Sequence, residues 1–417
     1  MLVVLVATSG RGLTLEEAID TALLKNRELA LSHLSQKEAV EKLHQAKSSF
    51  FPSLEVTGGY TRMSSVPIIE FTEGVGIPLG YYDNFSAAIS LSFPLFTSGK
   101  RMYGYELARL GVEMSELETS IKECDVREEV SYSFYGLLVA QEAVKIAEEA
   151  LGRAQDHLQT VRTQHRRGVV SQLDLLRAEY SYSEAETEYL RAENGQEMAI
   201  KVLNLLLGID VDTPTSADGE LQYMPVEEDV SYFNALAVER RPEINTLELG
   251  HQMASTSLSM AKFKNAPNLI LALNYSYERP YQFEEKWGRT LVANLGVQFS
   301  LFDGFRNLSE IRQARIGVQK TQVQEELLRR AIQFEVETAY SSLMESEAEL
   351  SVQKKALAQA EQALRTAEEQ YKKGFIASLD YKDTAFAYTS AQFSHLHTLY
   401  QYMLSRVKLE RAAGVWN

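Results

Sequence analysis

The 417-residue chain contains a single cysteine, Cys124, so no disulfide can form within it. Cys124 also falls within a helical stretch far from the start of the chain, so no lipid-attachment cysteine is expected. No uninterrupted apolar run reaches the roughly 18 residues that a membrane-crossing helix needs. A β-barrel stays open to the chain, because a transmembrane strand needs only ~10 alternating residues. Cations are scarce: 42 Lys and Arg stand against 57 Asp and Glu, a net charge of −15. That balance argues against nucleic acid as a partner, since phosphate binding requires a basic surface, and it suits a solvated lumen or a cationic ligand. Cys124, the seven histidines and the serines form no recognisable catalytic or metal-binding pattern, so no enzymatic activity, cofactor or metal is expected. His395 and His397 are two apart on a helical stretch and therefore face different directions. Proline is missing from the whole stretch between Gly99 and Gly168.

What is present is a duplication. Gly168 to Asp174 reads GVVSQLD and Gly374 to Asp380 reads GFIASLD, an offset of 206 residues. The same offset relates Phe93 to Phe299 and Gly111 to Gly317. Two repeats are expected, 11–208 and 231–417, joined by an irregular acidic linker at 209–230 that forms a small mixed patch beside the long helices. Residues 1–10, MLVVLVATSG, form a short apolar run without a positive leading region, either a shortened export signal or a simple leading strand.

Each repeat has the same order of patterns. A helix is expected from Leu13 to about Ser49, opened by Thr14 with Glu17 three residues on, and another from Ser231 to Ala266. Pro52 and Pro267 end them, and RRPEI in the second matches NREL in the first. Period-two segments follow. In the first repeat Phe85, Ile89, Leu91 and Phe93 alternate with small polar residues, after a weaker strand from Leu54 to Arg62 that Gly58 and Gly59 interrupt. In the second, Leu269, Leu271, Leu273 and Tyr275 share one face, and Leu291, Leu295, Val297 and Phe299 share another. Arg62 to Asp83, with two prolines and three glycines, reads as a long exposed loop. Four such strands cannot close a barrel alone, so they form either a soluble sheet covered by helices or part of an oligomer that pools strands.

Two very long helices come next. Between Gly99 and Gly168, Val130, Ser133, Leu137, Ala140, Val144 and Ala147 recur at spacings of three and four. Val336, Ala339, Leu343, Ser346, Leu350 and Gln353 repeat the pattern in the second half. A period of 3.5 is that of a coiled-coil seam, and nearly 70 residues at 1.5 Å each span roughly 100 Å. Return helices are expected over Ser171 to Leu207 and Ser378 to Ala413.

The duplication, the Pro-bounded strand pairs, the FPLFTSGKR and FSLFDGFRN junctions and the paired glycine turns together resemble the TolC family of outer-membrane efflux proteins. The resemblance implies a mixed α/β fold made mainly of long antiparallel helices. It further implies a homotrimer whose protomers each give four strands to a 12-stranded transmembrane β-barrel, continuous with an α-helical barrel in the periplasm. The implied function is passive: the exit duct of a tripartite efflux or type I secretion system, with a periplasmic adaptor and an inner-membrane pump as partners and outer-membrane lipid around the strands. By the same resemblance Asp380 and Asp383 match an acidic ring at the periplasmic gate, where threefold repetition should raise their pKa, although Asp380 also suits a plain helix start. Tyr371 and Asp174 match one polar link that holds the resting tip shut, and Ile376 replaces the basic residue of a second link. Gly168, Val169, Val170 and Ser171 on one turn, with Gly374, Phe375, Ile376 and Ser378 on the other, form the tips where an adaptor docks or which pack on one another. A soluble coiled-coil scaffold and an adaptor-like protein are the alternative readings.

Overall fold

The computed structural model describes residues 12–72, 75–78 and 80–416, and the expected export segment at 1–10 lies outside the described residues. The first repeat runs α1 (Leu15–Lys25), α2 (Arg27–Ser48), β1 (Ser53–Arg62), β2 (Ile68–Thr72), β3 (Val75–Pro78), β4 (Asp83–Phe96), α3 (Lys100–Arg166) and α4 (Gln172–Leu207). The second runs α5 (Val230–Arg240), α6 (Pro242–Lys262), β5 (Asn268–Arg279), β6 (Gly288–Gln298), α7 (Arg306–Lys372) and α8 (Ser378–Ala413). The long helices α3 and α7 are each 67 residues and the return helices α4 and α8 are each 36.

Contacts divide the chain into two compact units that cut across the repeat. One comprises 1–34, 117–245 and 326–417, and the other 35–116 and 246–325.

In the first unit the single helices expected over Leu13–Ser49 and Ser231–Ala266 are each broken once. Thr14 starts α1 as expected, its hydroxyl accepting from the Glu17 amide at 3.3 Å while Glu17 accepts from the Thr14 amide at 3.0 Å. The break falls at Asn26, extended at φ −58° and ψ 132°. Its side-chain oxygen accepts from the amides of Glu28 and Leu29 at 2.8 and 3.2 Å, which caps α2. Its amide donates to the Leu206 carbonyl in α4 at 2.8 Å, so a tertiary partner holds the break open. In the second repeat Pro242 makes the equivalent break: it takes the first position of α6, where a missing N–H costs nothing, after an extended Arg241.

The seam prediction holds. Val130, Leu137 and Ala147 on α3, and Val336, Ala339, Leu343 and Leu350 on α7, are buried. Fully burying a Leu or Val side chain is worth about 1.5–3 kcal/mol, so these rows dominate the packing of the hairpins. One cluster gathers Ala18, Ala22, Val130, Leu137, Leu203 and Leu207, and a second gathers Ile332, Val336, Leu343, Tyr402, Leu409 and Ala412. Beside the second lies a charged group: Arg241 reaches Glu243 at 3.0 Å and Glu335 at 2.6 Å, while Arg411 reaches Asp125 at 2.8 Å and Glu243 at 2.9 Å. Burial opposes ionisation of Glu243, yet the two guanidiniums hold its carboxyl down at about 2. The 209–229 segment is largely irregular and is pinned to the helices: Leu13 pairs with Ser216 and Asp218 through backbone bonds of 2.8 Å, and the buried Asn204 amide donates to the Val211 and Thr213 carbonyls.

The second unit carries a four-stranded antiparallel sheet in the order β1-β4-β5-β6. Gly58 and Gly59 do not interrupt β1, which pairs with β4 over its full length. The segment expected as a loop between Arg62 and Asp83 contains a second, two-stranded ribbon, β2 with β3. Turn residues hid it: two prolines and three glycines break its apolar residues, among them Ile68, Ile69, Phe71, Val75 and Ile77, into runs too short to show a period. Strand β6 ends at Gln298, so Phe299, expected on that strand, lies one residue beyond it.

Candidate functional site

The two glycine turns have one construction. Gly168 and Gly374 adopt φ of +74° and +76°, a left-handed conformation that glycine enters without a Cβ penalty. The Val169 amide donates to the Gln164 carbonyl at 3.0 Å, and the Phe375 amide to the Gln370 carbonyl at 2.9 Å, closing each outgoing helix in the same way. The return helices start differently. Ser171 donates its hydroxyl to Asp174 at 2.6 Å and its amide at 3.1 Å, and these bonds hold the Asp174 carboxyl below its usual range. The corresponding position is Ala377, so only the Ala377 amide to Asp380 bond, 3.2 Å, remains. Asp380 therefore does start its helix, with one carboxylate oxygen occupied. Both Asp380 and Asp383 are exposed, three residues apart on α8 and thus neighbours on its surface.

The tip side chains divide by environment. Val169 and Phe375 are 72% and 76% exposed. Val170 instead turns inward and packs on Leu158, Val161 and Ala178, and Ile376 is half-buried beside Gln370, Asp380 and Thr384. Ser378 turns inward too, its hydroxyl 3.0 Å from Nε2 of His157.

His157 is a residue that sequence reasoning missed. It is 8% exposed, and its ring lies 5.2 Å from Tyr371 and 4.9 Å from Tyr381, which stack on each other at 5.2 Å and 16°. Burial depresses the imidazole pKa. Its Nδ1 and the Tyr371 hydroxyl are both buried without a hydrogen-bond partner among the described residues. The expected Tyr371 to Asp174 bond is thus not made within the chain, because Asp174 is engaged by Ser171 and Tyr371 lies in this aromatic cluster. His395 is half-buried and His397 exposed, on different sides of α8.

Register assigns the faces of the sheet, since directly opposed residues share a side. Leu91 faces Leu273, Phe93 faces Leu271, Tyr275 faces Leu291 and Leu269 faces Val297, with Leu295 opposite Leu271 and Ile89 opposite Tyr275. Phe85 lies in the same row set, opposite Tyr60 on β1. Leu54, Val56 and Tyr60 complete this apolar face; the even-numbered parity of β1, opposite to the odd parity of the other strands, hid them. The other face presents Ser86, Ser90, Asn274 and Asn294, with Asn274 donating to Ser90 at 2.7 Å. The apolar side chains are exposed or half-buried, so no helix among the described residues covers them, and the soluble covered sheet is not what forms. Strands β1 and β6 are left as edges with one side unpaired.

A four-stranded sheet with an open apolar face, in a chain with two 67-residue helices, defines an outer-membrane channel protein. The chain belongs to the outer membrane efflux protein family, whose pattern residues 18–209 and 235–415 match. It is 26% identical over 336 residues to protein CyaE of Bordetella pertussis, covering 79% of this chain and 69% of that one. It is 23% identical over 415 residues to the alkaline protease secretion protein AprF of Pseudomonas aeruginosa, covering 96% and 86%. Its fold matches the crystal structure of the CmeC outer membrane channel of Campylobacter jejuni with a TM-score of 0.81 at 17% identity, covering 96% of this chain and 85% of that one.

Proposed function

We propose that three copies of this chain join β6 of one to β1 of the next, closing a 12-stranded barrel in the outer membrane whose helical hairpins continue into the periplasm. The protein is then a passive exit duct of a tripartite efflux or type I secretion system, opened at its periplasmic tip by an adaptor and an inner-membrane pump. The observation that carries this reading is the sheet: one apolar face left open, one polar face, and two unpaired edges. Buried in lipid, unpaired edge groups are untenable, so closure is required, and three sheets of four strands give a barrel wide enough to keep an aqueous interior. The polar face of serines and asparagines then lines that interior. The kinship with a protease secretion protein and the fold likeness to an outer-membrane channel support export as the shared role.

The exposed pair Asp380 and Asp383 forms the gate in this reading, set with Asp174 and Tyr371 near the return-helix starts. Threefold repetition brings six carboxylates around the axis, which favours bound cations. Val169 and Phe375, open to solvent at the turns, are the adaptor contacts, while Val170, Ile376 and Ser378 support them from within. Cell fractionation tests the whole: the chain should co-sediment with outer membranes as a heat-dissociable trimer. Recovery as a water-soluble monomer or dimer rejects the duct. For the gate, Asp380→Ala with Asp383→Ala should abolish cation block of single-channel current in planar bilayers; unchanged block places the gate elsewhere.

A further inference from the structure

The base of the sheet holds a feature that the duct does not require. Four strand–helix junctions are tied together there. Ser98 donates to the Pro267 carbonyl at 2.6 Å, Lys100 to Asn268 at 3.1 Å, Arg101 to the Ser49 carbonyl at 3.1 Å, and Asn265 to Asp303 at 2.9 Å. Rings add to the knot: Tyr103 stacks on Phe263 at 6.0 Å and Phe50 meets Tyr105 edge-on at 6.3 Å.

Two properties of this collar stand out against the rest of the chain. The first is charge. Residues 46–52, 96–106, 261–267 and 299–310 hold six cations, Lys47, Lys100, Arg101, Lys262, Lys264 and Arg306, against three carboxylates, Glu106, Asp303 and Glu310, in a protein of net charge −15. Lys100, Arg101 and Lys264 have partners in the fold, whereas Lys47, Lys262 and Arg306 are exposed with no carboxylate partner among the described residues. The second is exposed apolar surface, most of it phenylalanine. Leu301, Phe302 and Phe305 are 88%, 73% and 66% exposed, and Phe51, Phe96 and Phe299 are exposed beside them. Phe302 and Phe305 meet edge-on at 5.4 Å, and the loop presents Phe305 at a left-handed φ of +66°. The patch continues the apolar face of the sheet, because Phe96 opposes Leu269, which opposes Val297.

Barrels in membranes carry aromatic girdles at the ends of their apolar bands, and cations just beyond the band are attracted to anionic headgroups. We propose that this junction is a phospholipid-binding collar: its phenylalanines enter the periplasm-facing leaflet, and Lys47, Lys262 and Arg306 face the headgroup phosphates. The proposal rests on the outer-membrane reading above. It adds a lipid class, anionic phospholipid, and a depth, with the first residues of α3 and α7 at headgroup level.

The test uses the full chain, with Cys124→Ser, in vesicles of phosphatidylcholine and phosphatidylglycerol. Spin labels are placed singly at Phe302→Cys, Phe305→Cys, Leu295→Cys on the sheet and Val169→Cys at the tip. Labels at 302 and 305 should collide with oxygen more than with a water-soluble nickel chelate, as should 295, while 169 shows the reverse. Labels at 302 and 305 in water with 295 in lipid overturn the collar alone. Labels at 302 and 305 shielded from both reagents mean that a second copy of the chain covers the patch, which also overturns it. A label at 295 in water overturns the outer-membrane reading together with the collar. In a second arm, native mass spectrometry of the detergent-solubilised protein compares lipid retention. The wild type should prefer phosphatidylglycerol over phosphatidylcholine about fivefold per cation contact. Lys47→Gln, Lys262→Gln and Arg306→Gln together should bring the two lipids to parity, and an undiminished preference refutes the headgroup assignment.

Discussion

Tyr371 offers the sharpest test of how the resting tip is held. Its hydroxyl is buried and completes no well-formed hydrogen bond among the described residues, burial pushing its pKa up and the nearby Ser378 hydroxyl opposing that push, while its ring stacks on Tyr381 at 5.2 Å and lies 5.2 Å from His157. Tyr371→Phe keeps both ring contacts and removes only the oxygen. A buried hydroxyl without a partner costs about 1–3 kcal/mol, and because the side chain as a whole is only half-buried, a gain near 1 kcal/mol is expected on its removal. The opposite outcome follows if the hydroxyl donates to Asp174 in the closed trimer. A hydrogen bond to a charged group is worth about 1.5–3 kcal/mol, so each of the three protomers would lose that amount and the tip would loosen. Thermal unfolding followed by the helical signal, and single-channel current in planar bilayers, separate the two. The structure predicts a raised unfolding midpoint and unchanged resting current. A lowered midpoint with larger resting current would refute the reasoning and restore the Asp174 link.

Further outcomes concern the charged group, the tip histidine and the turns. Glu243→Gln should destabilise the fold by about 1.5–3 kcal/mol, since it removes the carboxylate shared by two mostly buried guanidiniums and leaves Arg241 with Glu335 and Arg411 with Asp125; equilibrium urea unfolding of the helices reads the loss. The same carboxylate sets an acid limit: held at about 2 when folded, its contribution is intact above the ordinary value of 4.5 and vanishes as pH falls towards 2. His157 acts at milder pH. Its folded pKa lies below 6.5, so below 6.5 the unfolded chain binds more protons and stability falls with acidification; His157→Phe should flatten that slope in unfolding midpoints measured from pH 7 to pH 5. At the turns, Val169→Asp with Phe375→Asp should abolish adaptor-dependent export while trimers still reach the outer membrane, because these side chains bury nothing within the chain. Val170→Asp is expected to damage the tip itself, since Val170 packs on Leu158 and Val161, and limited proteolysis at the turn should reveal it.

The amino-acid sequence by itself determined the elements that depend on local pattern. Glycines 206 residues apart marked the two turns, and the 3.5-residue rows on α3 and α7 marked the buried seams. Period-two alternation marked β4, β5 and β6, and the paired junction motifs pointed to the family that residues 18–209 and 235–415 match. All these signals lie within one turn of helix or one strand, or repeat at a fixed offset, and so can be read along a line.

Tertiary structure decided what depends on partners far apart in the chain. Asn26 breaks the first helix because its amide reaches Leu206, 180 residues away, and nothing in NREL announces that carbonyl. His157 meets Ser378 across 221 residues, which is why the aromatic cluster at the tip was missed while the turns beside it were found. Val169 and Val170 are identical in chemistry, yet the path of the turn leaves one open and seats the other on α3 and α4. Strand β1 shows the same limit in its faces: its apolar residues fall on even numbers and those of β4 on odd, so only the register Leu54 to Leu91 places them on one side. Side-chain type and spacing set which elements form; the direction in which each group finally points is set by what the rest of the chain brings against it.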